Sequence, residues 1–294
     1  MKSKTQSSYV TGIVLAIFFS SCSDGSSQTQ PAPVISLEEQ IKTKFNGEVV
    51  PPSATSCFAG AYYRKAVSSK DYWLGIGGTV VLPTLTYDLS RENPNKLGTY
   101  LDNASIYLGG TSDGQETDIG MTWEVIREAD GSVSKERKAF RPFMRRTSHK
   151  SGQVAVYQNA PATSNYYWYP GETIAMSIEV IEAKKIKFIV EGAGKRYEEI
   201  FEADGYRKEV MANYKRVNAI DQVSNEGKPV QTTTAKVTGA KWLEVYLFRS
   251  VNSQVVKAPM HPNRFTDMQC PAKSYFVLNF SSESAETIDV FGTK

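Results

Sequence analysis

The sequence predicts an all-β chain folded as an antiparallel β-sandwich or jelly roll, and three observations carry that prediction. The first is period-two alternation. In Thr173–Glu182 the residues Ile174, Met176, Ile178 and Val180 fall on one face, and in Lys184–Glu191 the residues Ile186, Phe188 and Val190 lie opposite Lys185 and Lys187. Successive side chains of a strand point to opposite faces, so this pattern belongs to half-buried antiparallel strands. The second is punctuation: the alternating segments are short and end in turn residues, as at Glu191-Gly192-Ala193-Gly194. The third is the lack of any βαβ rhythm or internal repeat, which leaves sheet packed on sheet as the way to bury the apolar faces.

Taken in order, residues 37–47 (LEEQIKTKFNG) read as a short helix closed by Gly47. Strand-like segments follow at Phe58–Val67, Tyr72–Val81, Ala104–Gly109, Asp118–Arg127, Lys138–Arg146, Val154–Gln158, Thr233–Arg249, Ser274–Phe280 and Thr287–Phe291, besides those already named. Ser90–Thr99 and Tyr206–Val230 lack alternation and read as long loops. Gly75-Ile76-Gly77-Gly78 lacks the Lys-Ser/Thr ending of a phosphate loop and reads as a bulge or turn. Thr111–Asp118 reads as a hairpin turn, with an oxygen-ligated calcium loop as the alternative. Lys135–Lys150 carries seven basic residues against one acid, which suits a solvated, charge-blunted edge strand or, alternatively, contact with anionic glycan or lipid headgroups.

The N-terminus gives an address. Lys2 and Lys4 precede the apolar run Val10–Phe19, whose ten residues are too few for the ~20 that a membrane-spanning helix needs. Phe19-Ser20-Ser21-Cys22 resembles the lipobox of bacterial lipoproteins, although Phe19 stands where leucine is usual. The resemblance implies a signal peptide over 1–21, a lipid on Cys22 and attachment to the cell envelope; Ser23 after the cysteine favours the outer membrane. Ordinary signal cleavage near Ser20 or Ser21 is the alternative. Residues 22–36, rich in Ser, Gln and Pro, read as a flexible tether, and 37–294 as a single β-sandwich domain.

Of the three cysteines, Cys22 is assigned to the lipid, so Cys57 and Cys270 are expected to form a disulfide in an oxidising compartment, with two separate thiols as the alternative. That bridge would make the first and last parts of the domain neighbours. Net charge is +3, with Lys+Arg 34 against Asp+Glu 31, which is a mixed surface and gives no reason to expect nucleic acid. His149 and His261 are the only histidines and sit in no metal-ligand spacing, so neither a metal nor a cofactor is expected.

Three stretches then bear on family: Ala104-Ser105-Ile106-Tyr107-Leu108-Gly109-Gly110 followed by Asp118-Ile119-Gly120-Met121; Tyr167-Trp168-Tyr169-Pro170-Gly171-Glu172; and Ala240-Lys241-Trp242-Leu243. Together they resemble segments of the concanavalin A-like sandwich of the glutamic peptidases (eqolisins), and imply that fold. The position matching that family's catalytic glutamine is Asp118, and the one matching its glutamate is Lys241. A lysine in place of the acid removes the base, so an Asp118–Lys241 ion pair is expected instead. Glu116 and Glu244 lie nearby and, with Asp118, are the catalytic candidates if the chain is an enzyme. By strand parity Glu244 points to the face opposite Lys241.

The aromatic run Tyr166-Tyr167-Trp168-Tyr169 offers either sugar-stacking rings or core filler. The reading carried forward is an envelope lipoprotein whose sandwich binds a ligand, a glycan by preference, through Tyr167, Trp168, Tyr169, Asp118 and Lys241. The alternatives are a hydrolase, either a glycosidase or a peptidase of altered dyad, and a structural envelope protein. Asp118 and Glu124 share a face, but six residues of strand separate them by ~20 Å, too far for a glycosidase pair.

Overall fold

The computed structural model describes residues 35–50, 56–96, 98–127, 130 and 132–293. The expected signal peptide, Cys22 and most of the tether lie outside the described residues. A short helix, α1 (Leu37–Lys42), opens the domain, its first turn capped by the Ser36 side chain, which accepts from the Glu39 N–H at 3.2 Å. It ends sooner than the expected 37–47 segment.

Among the described residues sixteen strands follow: β1 (Ala61–Ser68), β2 (Trp73–Val81), β3 (Thr84–Thr86), β4 (Asp102–Ser112), β5 (Gln115–Arg127), β6 (Val133–Arg146), β7 (Val156–Asn159) and β8 (Thr173–Glu182). Then come β9 (Lys185–Gly192), β10 (Lys195–Glu202), β11 (Ala212–Gln222), β12 (Lys236–Val251), β13 (Gln254–Pro259), β14 (Phe265–Cys270), β15 (Phe276–Ser282) and β16 (Ala285–Phe291). They form a seven-stranded sheet in the order β14-β1-β11-β4-β5-β6-β7 and a nine-stranded sheet in the order β10-β9-β8-β2-β12-β16-β15, with β3 and β13 also paired to β12.

The core lies between the sheets. Ile106, Leu108, Ile119, Met121, Phe140 and Ile220 enter it from the seven-stranded sheet, and Ile76, Ile178, Phe188, Val190, Trp242 and Leu247 from the other. These are the alternating positions, and the fold is the antiparallel sandwich that alternation predicts. Each such side chain contributes roughly 1.5–3 kcal/mol by leaving water. The Cys57–Cys270 disulfide is present, and β1 pairs with β14 so that Tyr63 stands opposite Cys270. The two ends of the domain are therefore neighbours.

Several segments differ from expectation for identifiable reasons. Tyr206–Val230 is not one loop, because it contains β11, the strand between β1 and β4. Its inward positions include Arg216 and Asn218, so apolar alternation is missing although the strand is buried. Both find partners inside the sandwich: Arg216 pairs with Glu286 of β16, and Asn218 Oδ1 accepts from Trp242 Nε1 at 2.8 Å. Arg64 of β1 also reaches Glu286, at 3.4 Å.

Gly75, Gly77 and Gly78 form no turn but lie within β2. A Cβ on Gly77 would sit 2.7 Å from the Tyr246 ring, so the glycines there admit neighbouring rings. The basic strand β6 is not an edge, since β5 and β7 flank it. Thr111–Asp118 is a hairpin, with Asp113 at φ 48° and Gly114 at φ 77° forming the two-residue loop between β4 and β5. Positive φ at both positions is the signature of a type I′ turn.

Candidate ligand-binding cleft

The outward face of the seven-stranded sheet is built from cross-strand rows. Lys215, Gly109, Asp118, Arg145 and Tyr157 stand side by side on β11, β4, β5, β6 and β7. The next row runs Lys65, Val217, Tyr107, Gly120 and Phe143, and the one after it Tyr63, Ala219, Ser105 and Thr122. Asp221 and Asn103 follow. These rows floor a cleft of about 810 Å³.

Two glycines let side chains meet across a strand. Neighbouring strands lie about 4.8 Å apart, so Lys215 and Asp118 are separated by roughly 10 Å of backbone. Gly109 between them has no side chain, and the lysine stem crosses over it. A Cβ there would come within 3.0 Å of Lys215 Cε and 2.1 Å of the Thr117 carbonyl oxygen. Lys215 Nζ thereby reaches Asp118 Oδ1 at 2.7 Å and Glu116 Oε1 at 2.5 Å. Gly120 does the same for two rings: Tyr107 and Phe143 meet edge to face across it at 5.8 Å.

Asp118 is buried and carries a second cation, with Arg145 Nη1 2.6 Å from its Oδ2. Burial alone would raise the Asp118 pKa, but Lys215 and Arg145 outweigh it and hold the carboxyl below its ordinary value. Burial likewise pulls Lys215 down, and Asp118 and Glu116 outweigh that and raise it. Asp221 goes the other way. Burial pushes it up to about 6, the charges of Asp118 and Glu226 add to the effect, and the hydrogen bond from Ser105 and the charge of Arg145 oppose it. Ser105 Oγ donates that bond at 2.5 Å. One cleft thus holds a carboxyl held below its ordinary pKa and a second raised to about 6.

The rim is aromatic. Phe58 and Tyr157 are each 56% exposed. Phe58 follows the disulfide directly, and its N–H donates to the Tyr63 hydroxyl at 2.6 Å. Tyr157 stacks on Phe143 with centroids 5.8 Å apart and planes 20° from parallel.

Of the residues singled out in the sequence, Asp118 and Glu116 lie in this cleft. Lys241 and Glu244 do not. Both are exposed on β12, in the other sheet, so no Asp118–Lys241 pair forms; the cations on Asp118 are Lys215 and Arg145. A bulge between Trp242 and Glu244 breaks the strand parity, and Glu244 is exposed like Lys241, accepting from Thr79 Oγ1 at 3.1 Å.

The aromatic run is no open platform either. Trp168 is fully buried, bridged to Phe140 of β6 by backbone hydrogen bonds and donating its Nε1–H to the Gly192 carbonyl at 3.0 Å. Tyr167 is buried against Ala139, and Tyr169 is half-buried beside it. Lys215, Asp221, Ser105 and Tyr107 carry the cleft and were not candidates in the sequence. Among the described residues no group of three or more His, Cys, Asp or Glu is placed to hold a metal ion.

No protein-family model matches the chain, and no curated protein sequence matches it. Solved structures of similar shape include scytalido-glutamic peptidase with a peptide-based transition-state analogue, at 11% identity and TM-score 0.44, covering 80% of this chain and 100% of that one. SCP-B, an eqolisin peptidase in complex with the tripeptide Ala-Ile-His, overlaps at 10% identity and TM-score 0.39, over 79% of this chain and 98% of its own. A β-porphyranase from the human gut bacterium Bacteroides plebeius overlaps at 11% identity and TM-score 0.16, over 56% of this chain and 54% of that one.

Proposed function

We propose that the chain is exported, held in the cell envelope by a lipid on Cys22, and binds a glycan in the cleft of the seven-stranded sheet. The observation that carries the binding reading is the cleft's mixed lining. A sugar presents flat C–H faces and a rim of hydroxyls, and needs rings to stack on and polar groups to bond. Phe58 and Tyr157 offer open ring faces, while Asn103, Thr122 and Asp221 offer amide, hydroxyl and carboxyl groups beside them. A volume of about 810 Å³ lies within the usual range for small-ligand sites.

Export is supported by the disulfide, which forms and persists in oxidising compartments. No helix among the described residues is long and apolar enough to cross a membrane, so in this reading the lipid is the anchor.

A second reading, hydrolysis, is favoured by one observation: the same cleft holds an ionised carboxylate at Asp118 and a protonatable one at Asp221. Environments that drive two acids apart are how acid and base roles are divided. One experiment separates the readings. The purified chain is screened on a glycan array, and each bound glycan is then incubated with it and assayed for new reducing ends. Binding that Tyr157→Ala weakens, without cleavage, supports the binding reading. Cleavage that Asp221→Asn abolishes moves the assignment to a hydrolase, and binding to no glycan rejects the proposal.

A further inference from the structure

We infer that the ligand is an acidic glycan and that Lys65 receives its carboxylate or sulfate group; this rests on the glycan-binding reading above. The cleft's cations, taken one by one, leave Lys65 over, and Glu226, the acid of the lining on the loop after β11, forms no ion pair with it among the described residues. Lys215 serves Glu116 and Asp118 together, and Arg145 serves Asp118. Asp221 is held by Ser105, and Lys228, out on a loop, has its Nζ 3.5 Å from the Ser224 carbonyl oxygen. Lys65 lines the cleft, half-buried, with no ion pair among the described residues.

Its surroundings explain why. On the neighbouring strands it stands between Val217 and Met268, and along β1 its same-face neighbours are Tyr63 and Val67. Its Nζ sits 5.5 Å from the centre of the Tyr63 ring. The apolar patch of Tyr63, Val217, Ala219, Met268 and Cys270 thus surrounds an ammonium without supplying an acid. Burial lowers the Lys65 pKa, and the Lys215 charge lowers it further; Glu116 and Asp118, already committed to Lys215, offset this only in part.

A partly desolvated cation lacking a counter-ion is costly, and the cost is relieved by an anion with its own hydrogen-bonding oxygens. An acidic sugar brings that anion together with a ring face for the adjacent aromatics. A neutral sugar would leave the ammonium more deeply buried and still unpaired.

The test uses the full chain purified in detergent and titrated with oligogalacturonate, its methyl ester, dextran and dextran sulfate. The free acid is expected to bind about tenfold more tightly than the ester, a preference that fades as salt rises. Lys65→Met should bring the acid down to the level of the ester, while Lys65→Arg keeps most of the preference. A larger gap between dextran sulfate and dextran than between acid and ester assigns sulfate as the group received. Equal binding of acid and ester, with sulfated and plain dextran also equal, overturns the Lys65 assignment and leaves the glycan reading standing. So does a preference that survives Lys65→Met, the result expected if this lysine merely lays its stem over the apolar patch. Binding of none of the four, with none on the array, overturns the glycan reading itself.

Discussion

Replacing Asp221 by Asn removes one titrating group and keeps an oxygen for Ser105 to bond. In the folded chain the carboxyl is pushed from 3.8 up to about 6, chiefly by burial. The native state therefore holds its proton more tightly than the unfolded chain does. Stability linked to that proton is fully present below about pH 4 and is lost as pH rises through about 6. The displacement amounts to about 3 kcal/mol, an upper figure because the carboxyl borders an open cleft and water screens it. Asp118 acts in the opposite sense, since its pKa is lowered, but its effect falls below pH 4, outside this window.

Urea unfolding of wild type and Asp221→Asn, with the disulfide intact, should thus diverge between about pH 4 and pH 7. The variant is expected to gain about 1–3 kcal/mol relative to wild type across that interval, whatever the offset between them at low pH. Comparing differences cancels every titrating group that does not interact with Asp221. A difference that stays flat, or falls with rising pH, would show that Asp221 is not held protonated, and the hydrolase reading would lose its one supporting observation.

Three further outcomes are expected. Cys22→Ala should release the chain from membranes and block incorporation of labelled fatty acid, and equal membrane retention of both proteins would refute the anchor. Replacing Cys57 and Cys270 by Ser should cost about 2–4 kcal/mol in chemical unfolding, and it should weaken ligand binding further by freeing Phe58 from its place at the rim. Unchanged affinity would show that Phe58 takes no part. Lys215→Met strips one cation from two acids and should cost about 3–5 kcal/mol, partly recovered in the double variant with Asp118→Asn; additive losses would mean that the two do not interact.

The sandwich was legible because burial follows a simple alternation wherever one face of a strand is apolar. Thr173–Glu182 is the plainest case: its expected and observed bounds coincide, and Ile174, Met176, Ile178 and Val180 are all buried. The alternation of β5 was equally readable, with Ile119, Met121 and Trp123 inward and Asp118 and Glu124 outward. Expectation failed at β12 for a local reason. A bulge adds one residue to one strand, reverses parity beyond it, and leaves no mark in composition. Lys241, Trp242 and Glu244 each alternate correctly on their own side of that bulge, yet parity counted across it puts Glu244 on the wrong face.

The cleft was legible only in part, and the reason lies in β11. A strand is recognised from sequence by the contrast between its faces, and Ala212–Gln222 has almost none. Lys215 and Asp221 project into the cleft, while Arg216 and Asn218 point into the sandwich. The inward charge is tolerated because Arg216 and Arg64 converge on Glu286 and Asn218 meets the Trp242 indole, so the polar groups of one sheet are answered from the other. A polar core beneath a polar cleft erases the periodicity that marks β5 and β8. Asp118 was singled out by the resemblance of its segment to the glutamic peptidases, and the apolar inner face of β5 placed it outward; Lys215, its partner across Gly109, could not be found, since nothing in the run NYKRVNAID separates the lysine that faces out from the arginine that faces in. The residues most telling for the site are therefore those whose strand departs furthest from the pattern that revealed the fold.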